Sequence, residues 1–389
     1  MIDHDTESAQ CLSLFRKNFK STPEVYAKAP GRINFIGEHV DYQEGIVLPS
    51  AINKYIYAVA ARLEKPIIRL CSTYNEEKII ELPLKSLTPQ KGEDSWTNYI
   101  IGVIDGYLNK GAAIRGIEIM IDSNLPSGAG MSSSAALESV AATIVEKLFN
   151  FPLDPVDRAK ICQNAEHQFA GVPCGIMDQI AVNLGVEGKA LEIDCQNLEI
   201  EEISIPESIS IIVVDSKVKH SLAEGEYGIR KKQCEEACSI LGVKSLREAS
   251  QEMVYTSKEQ LGDSLFKRSR HVTSEILRVK RFSQALKDNN LKVMGDLLLE
   301  SHESLSNDFE VSCSELDQLV ELAKTLNAHG SRMMGGGFGG STISLVDKKD
   351  ETGFLDQIKL SYYNATGNNS DAWAVKSEDP TRILDLPNC

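Results

Sequence analysis

Between Arg32 and Tyr42, eleven residues hold six side chains able to exchange hydrogen bonds with a ligand: Arg32, Asn34, Glu38, His39, Asp41 and Tyr42. Apolar strand-like residues flank them, which places these polar groups beside a core rather than on a charged surface. Carboxylates accept hydrogen bonds from hydroxyls and an imidazole can do either, so the cluster suits a polyhydroxylated ligand such as a sugar. A solvated loop with an incidental ion pair is the competing reading. A second segment, Leu125–Ala136, runs Leu-Pro-Ser-Gly-Ala-Gly-Met-Ser-Ser-Ser-Ala-Ala. It follows strand-like alternation and opens an amphipathic helix. A glycine turn at a helix start leaves N–H groups unpaired and aimed at one spot, and the helix dipole favours an anion there. This is the physics of a phosphate cradle. No lysine follows the glycines, so it is not a Walker loop. Simple N-capping by serine is the plainer alternative.

Gly330–Ser341 holds five glycines in the six positions 335–340, a composition that neither a helix nor a regular strand accommodates comfortably. Such a loop lets its backbone approach a ligand or another loop, and Met333, Met334 and Phe338 are unusual in a mere linker. Gly171–Gln179 reads as a turn, with Asp178 a candidate base. A single aspartate in a turn is more often structural.

The elements that must position these segments are legible in outline. Alternation predicts strands at Val25–Ala27, Tyr55–Ala61 and Ile117–Ile121, and two β-branched runs, Ser208–Val214 and Thr342–Val346, add two more. Leu137, Val140, Ala141, Ile144 and Leu148 share one face of a helix over 135–148. The same spacing predicts helices over 226–241, 271–287, 291–305 and 316–328. Strands and helices mix without regular βαβ alternation, which predicts an α+β fold. At 389 residues, two domains are expected, with a junction near residue 200 inside the acidic Asp194–Glu207 segment.

Composition narrows the partners. Forty-one basic residues against 56 acidic ones leave a formal charge of -15, which argues against general nucleic-acid binding. No apolar run approaches membrane-spanning length, and the acidic N-terminal residues precede no apolar signal core. Nine scattered cysteines lack framework or zinc spacing, so free thiols in a reducing, cytoplasmic setting are expected.

Taken together, in their order and separations, these segments resemble the GHMP small-molecule kinases and, within them, the galactokinase family. Arg32–Tyr42 is similar to the galactokinase signature, Gly128–Ala135 to the superfamily's nucleotide motif and Gly335–Gly340 to its C-terminal glycine motif. The likeness continues through Ala165–Gly171, Cys174–Gln179, Glu226–Glu235, Arg270-His271, Ser301-His302 and Asn307–Phe309. It spans most of the chain. The resemblance implies a two-lobed α+β fold, lobes 1–200 and 201–389, with the active site in the cleft between them. It also implies ATP-dependent phosphorylation of the anomeric hydroxyl of D-galactose. On that basis Asp178 is the catalytic base and Arg32 its partner. Glu38, His39, Val40, Asp41, Gly175 and Tyr227 fall on substrate positions. Ser72, Gly128, Ala129, Gly130, Met131, Ser132, Ser133 and Ser134 fall on ATP positions, and Ser134 and Glu166 on ligands of Mg²⁺. Partners are then galactose and ATP, with no nucleic acid or membrane, and a monomer is expected. Val40, Met334 and Ser341 depart from the family's common Thr, Thr and Cys, and none is a group that the mechanism uses. Two other readings are a sugar 1-kinase for N-acetylgalactosamine or a pentose, and a non-catalytic galactose sensor. The complete Ser132–Ala136 motif and the presence of Asp178 weigh against the sensor.

Overall fold

The structure, a computed structural model, describes residues 4–73, 78–126, 128–219 and 223–386. Ser127 of the phosphate-cradle motif and Cys389 lie outside the described residues. The first half runs α1 (His4–Phe19), β1 (Val25–Asn34), β2 (Ile46–Val47), β3 (Pro49–Arg62), β4 (Ile67–Ser72), β5 (Ile80–Pro83), α2 (Asn98–Asn109), β6 (Ile117–Ser123), α3 (Ser133–Phe149), α4 (Pro155–Ala165), α5 (Met177–Leu184), β7 (Lys189–Asp194) and β8 (Ile200–Ser204). The second runs β9 (Ile209–Lys219), α6 (Ala223–Leu241), α7 (Gln251–Thr256), α8 (Lys258–Lys287), α9 (Leu291–Asn307), α10 (Ser314–Thr325), β10 (Gly330–Met334), β11 (Gly339–Asp347), α11 (Glu351–Thr366), β12 (Asp371–Val375) and β13 (Arg382–Leu384).

A six-stranded sheet in the order β13-β1-β3-β6-β4-β5 carries the first half. All its pairings are antiparallel except β4 with β6. One face packs on α3, whose residues 135–146 are all buried, so this helix is apolar well beyond a single stripe. The register of β1 against β3 shifts between Pro30 and Gly31, and there the strand meets the phosphate-loop segment. A Cβ on Gly31 would lie 2.8 Å from the Met131 carbonyl, which accepts the Arg32 N–H at 3.1 Å. Only glycine allows that approach, and it delivers Arg32 to the loop.

The second half centres on the antiparallel sheet β10-β11-β9-β12, with α10 and α11 covering a core of Ile212, Val214, Leu319, Phe354, Ile358 and Tyr362. Residue 200 opens β8, which pairs with β7 and through it with β2 in a three-stranded sheet. The last strand, β13, returns to pair with β1.

All the predicted strands and helices are present, several of them longer than the pattern indicated. The predicted 271–287 helix is the later part of α8, which begins at Lys258 and carries non-helical backbone at Gly262. Two segments differ from the sequence reading. Gly330–Ser341 is a hairpin, with β10 and β11 paired from Gly330↔Leu345 to Met334↔Ser341. The irregular part shrinks to Gly335–Phe338, where Gly335, Gly337 and Phe338 take positive φ. Asp178 stands in the first turn of α5 rather than in a free turn.

Close backbone contact also joins α9 to β10. A Cβ on Gly295 would fall 1.9 Å from the His329 carbonyl oxygen, whereas one on Gly353 in α11 would meet nothing within 4 Å. Gly295→Ala should therefore cost at least about 1–3 kcal/mol. Gly353→Ala should add up to about 1 kcal/mol through helix propensity. Urea unfolding of the two variants checks the pair, and matching midpoints would contradict the tight α9–β10 crossing.

Candidate active site

Arg32 and Asp178 form the centre of the site. The guanidinium grips the carboxylate side-on, Nε to Oδ1 at 2.7 Å and Nη2 to Oδ2 at 2.8 Å. Its Nη1 donates to the Gly130 carbonyl, and the Ser132 hydroxyl donates to Asp178 Oδ2. Burial works against the Arg32 charge, but Asp178, Glu38 and Asp41 more than offset it and hold its pKa above the ordinary value. Asp178 keeps 27% of its side chain exposed, so its carboxylate remains open to a ligand.

On one side of this pair lies a cavity of about 190 Å³, lined by Arg32, Glu38, His39, Asp41, Gly175, Asp178 and Tyr227 among others. The predicted sugar residues therefore converge, with one exception. Val40 is wholly buried and does not line the cavity. Its carbonyl accepts the N–H groups of Gln43 and Gly45, which closes the turn that presents its neighbours. Glu38 Oε1 accepts the Gly335 N–H at 2.8 Å and faces both Arg332 Nη atoms at 3.3 Å. His39 Nε2 lies 3.2 Å from the Gly336 carbonyl, which can only accept, so Nε2 carries the proton and Nδ1 accepts from the Tyr42 hydroxyl at 3.0 Å. Burial depresses the His39 pKa to about 3, so the ring is neutral. Gly175 is there for space, since a Cβ would sit 1.9 Å from Asp41 Oδ2.

A second cavity of about 380 Å³ is lined by Ser72, Ser133 and Ser134 together with Trp96, Tyr99 and Leu137. Its aromatic wall beside the serine-rich helix start has the shape and chemistry for a base next to phosphates. Ala129 and Met131 turn their side chains into the core and offer the cradle only backbone. Ser132, at φ 57°, caps α3 in the left-handed region while its hydroxyl reaches Asp178. The glycine loop rests on this cradle: a Cβ on Gly130 would be 3.3 Å from the Met334 carbonyl, and one on Gly335 would be 3.5 Å from Gly130 Cα.

Three family models match the chain: the GHMP kinases N terminal domain over residues 98–186, the galactokinase galactose-binding signature over 13–62, and the GHMP kinases C terminal over 282–364. Galactokinase of Canis lupus familiaris is 40% identical over 385 residues, covering 97% of this chain and 96% of its own. Galactokinase of Homo sapiens is 38% identical over 387 residues, 97% of each chain. The chain belongs to the galactokinase family of GHMP kinases. The structure of Lactococcus lactis galactokinase complexed with galactose superposes with a TM-score of 0.93 at 32% identity, covering 97% of this chain and all of that one.

In this galactokinase-family site Glu166 opens a π-helical turn, Glu166–Ala170, that follows α4 directly and ends at the left-handed Gly171. Such single-turn bulges re-aim a side chain within a helix. Glu166 accepts from Gln179 Nε2 at 2.8 Å and is hydrogen-bonded by Ser134. Burial, with Asp178 adding repulsion, pushes its carboxyl up to about 7. Sequence reasoning missed Trp96, Tyr99, Arg332, Glu138 and Gln179. Glu138 sits four residues after Ser134, wholly buried, and Gln179 Nε2 bridges it to Glu166. Burial and the nearby Glu166 raise its pKa well above the carboxylate range. A glutamate on a helix reads as solvent-facing, and the only available signal was that the α3 pattern is apolar around it.

Burial, with Asp178 next, also pushes Asp41 up to about 7. A sugar hydroxyl that donates to Asp41 favours its ionised form, so galactose binding should release a proton and tighten as pH rises from 6 to 8. Asp41→Asn should bind weakly and lose Asp41's share of that slope, leaving any from Glu166. Calorimetric titration of galactose without nucleotide or metal measures both. Equal slopes in the two proteins would rule out Asp41 as the acceptor.

Proposed function

We infer that the protein transfers the γ-phosphoryl group of ATP to the anomeric hydroxyl of D-galactose, giving galactose 1-phosphate and ADP. One observation carries the mechanism: Asp178 lines the sugar cavity while accepting from Arg32 and from Ser132 of the phosphate loop. Asp178 thus borders the sugar cavity directly and is tied to the serine-rich start of α3 through Ser132. Family membership and the likeness to a galactokinase complexed with galactose support the choice of sugar.

Phosphoryl transfer asks chiefly for positioning and charge neutralisation. Glu38, Asp41 and the open floor at Gly175 orient the sugar, while His39 and Tyr227 close its wall. Asp178 takes the proton of the C1 hydroxyl as that oxygen bonds to the γ-phosphorus and the bond to ADP breaks. Arg32, locked in plane by two hydrogen bonds, offers its charge to the transferring group. Backbone N–H groups of Gly128–Ser134 receive the phosphates at the start of α3, and Ser72 with Trp96 and Tyr99 borders the rest of the nucleotide. Ser134 and Glu166 would hold Mg²⁺. They fit it as hard oxygen donors bonded to one another, in a region where burial and the neighbouring Asp178 push the Glu166 carboxyl up to about 7. When bound, the ion neutralises charge on phosphate oxygens.

The division into lobes 1–200 and 201–389 belongs to this proposal. It is supported by the sugar cavity, which takes Arg32 and Asp178 from one part and Tyr227 and Gly335 from the other. A cytoplasmic location is supported by eight described cysteines that are all free thiols. Among the described residues no helix is long and apolar enough to cross a membrane.

Asp178→Asn keeps a side-chain oxygen for Arg32 and Ser132, so galactose and ATP should still bind while turnover falls by about a hundredfold or more. Near wild-type kcat in the folded variant would remove Asp178 as the base. Galactose should also exceed glucose in kcat/KM by about ten- to a hundredfold, because the inverted 4-hydroxyl leaves a buried partner unmet. A coupled ADP assay across galactose, glucose and N-acetylgalactosamine decides it. Equal values for the first two would defeat the galactose assignment, and preference for the third would favour another sugar 1-kinase.

A further inference from the structure

We propose that His271 and Glu275, two buried side chains of α8, are positioning residues for galactose: they grip the main chain of the sugar loop from behind at Gly37 and Glu38. The proposal rests on the reading of that loop as the galactose site. His271 and Ser301 stand in two segments shared with the family, Arg270-His271 and Ser301-His302, that no step of the reaction uses.

The spacing of four residues puts His271 and Glu275 on one face of the helix, and both are wholly buried. His271 Nε2 lies 3.0 Å from the Glu38 carbonyl oxygen. That oxygen can only accept, so Nε2 carries the proton, and Nδ1 accepts from the Ser304 hydroxyl of α9 at 2.9 Å. Glu275 Oε1 accepts the Gly37 N–H at 2.9 Å and the Ser301 hydroxyl at 2.7 Å, while Oε2 accepts Arg278 Nε at 2.7 Å. One side chain therefore holds a donor of the loop and the other an acceptor, and each is itself braced from α9.

The backbone held this way is one that needs holding. Gly37 has φ +101°, and a Cβ there would lie 2.9 Å from the Ile46 carbonyl and 3.0 Å from Val279 of α8 itself. His39 has φ +60°, a left-handed conformation that a non-glycine residue keeps only when its surroundings impose it. The Glu38 carbonyl belongs to the peptide plane that leads into His39, so the His271 hydrogen bond fixes the orientation from which that φ is measured. Glu38, His39 and Asp41 then face the cavity together. Asp178 and Arg32 are anchored elsewhere, on α5 and β1. Slackening the grip should loosen galactose without disturbing the nucleotide side.

The test compares His271→Leu, which cannot donate, with His271→Gln, whose side-chain amide can offer an N–H in place of Nε2–H. Galactose affinity is measured by calorimetry, and KM for each substrate and kcat by the coupled assay. His271→Leu should weaken galactose about tenfold or more, as for a lost buried hydrogen bond. KM for ATP should hold, kcat should change less than KM for galactose, and His271→Gln should recover most of the loss. If His271→Leu does not fold, Ser304→Ala, which removes the brace on Nδ1, should show the same pattern at about threefold. Unchanged galactose affinity in a folded variant, equal losses for galactose and ATP, or a glutamine variant no better than leucine would each overturn the proposal. A wild-type protein that binds no galactose would overturn the underlying reading, whereas normal wild-type binding with insensitive variants would overturn only the grip.

Discussion

Arg332 is a guanidinium with no exposure to solvent, and the active site is assembled around it. Its Nε donates to the Phe35 carbonyl, Nη1 to the Met333 carbonyl and Nη2 to the Asn34 carbonyl, with both Nη atoms facing Glu38 Oε1. A buried cation with an unmet donor is strongly destabilising, so these partners are held to a single arrangement. They come from the end of β1, the sugar loop and β10. The register between the sugar loop and the glycine-rich hairpin is thereby set, and Glu38 keeps one oxygen committed while its cavity position is fixed.

Backbone contact does for the phosphate side what Arg332 does for the sugar side. Gly31 lies against Met131 and Gly130 against Met334, each at a separation that a side chain would strain, and Gly335, at positive φ, rests in contact with Gly130. Three distant stretches of chain thus meet with almost no side-chain volume between them. Arg32 bridges the result, reaching both the Gly130 carbonyl and Asp178.

The electrostatics follow from that compactness. Asp41, Glu138 and Glu166 are all driven toward their neutral forms by burial, with repulsion from neighbouring carboxylates adding to it. The site concentrates acids that its own cations do not fully compensate. Sugar hydroxyls and the proposed Mg²⁺ would complete the charge and hydrogen-bond balance of such a phosphoryl-transfer site.

Much of this was legible in the residues themselves. The polar cluster from Arg32 to Tyr42, the cradle at Gly128–Ser134 and the glycine run at 335–340 are local patterns, because turn chemistry and helix starts depend on neighbours in sequence. The helix over 135–148 was likewise readable from its periodicity. What depended on distant contacts was not. Val40 falls on a substrate position by family resemblance, yet its side chain is buried while its carbonyl closes a tight turn. Glu138 reads as a surface residue of α3, yet α4 and α5 cover it. Arg332 reads as a charge in a loop, yet it is the most enclosed cation of the site because the Asn34 and Phe35 carbonyls and Glu38 converge on it from elsewhere. Trp96 and Tyr99 carry no local pattern at all, and only the packing of their segment beside the α3 start makes them a cavity wall. Spacing along the chain determined which groups were offered to the chemistry, while the direction each one faces was decided by tertiary packing, since burial and hydrogen-bond partners belong to the fold rather than to the segment.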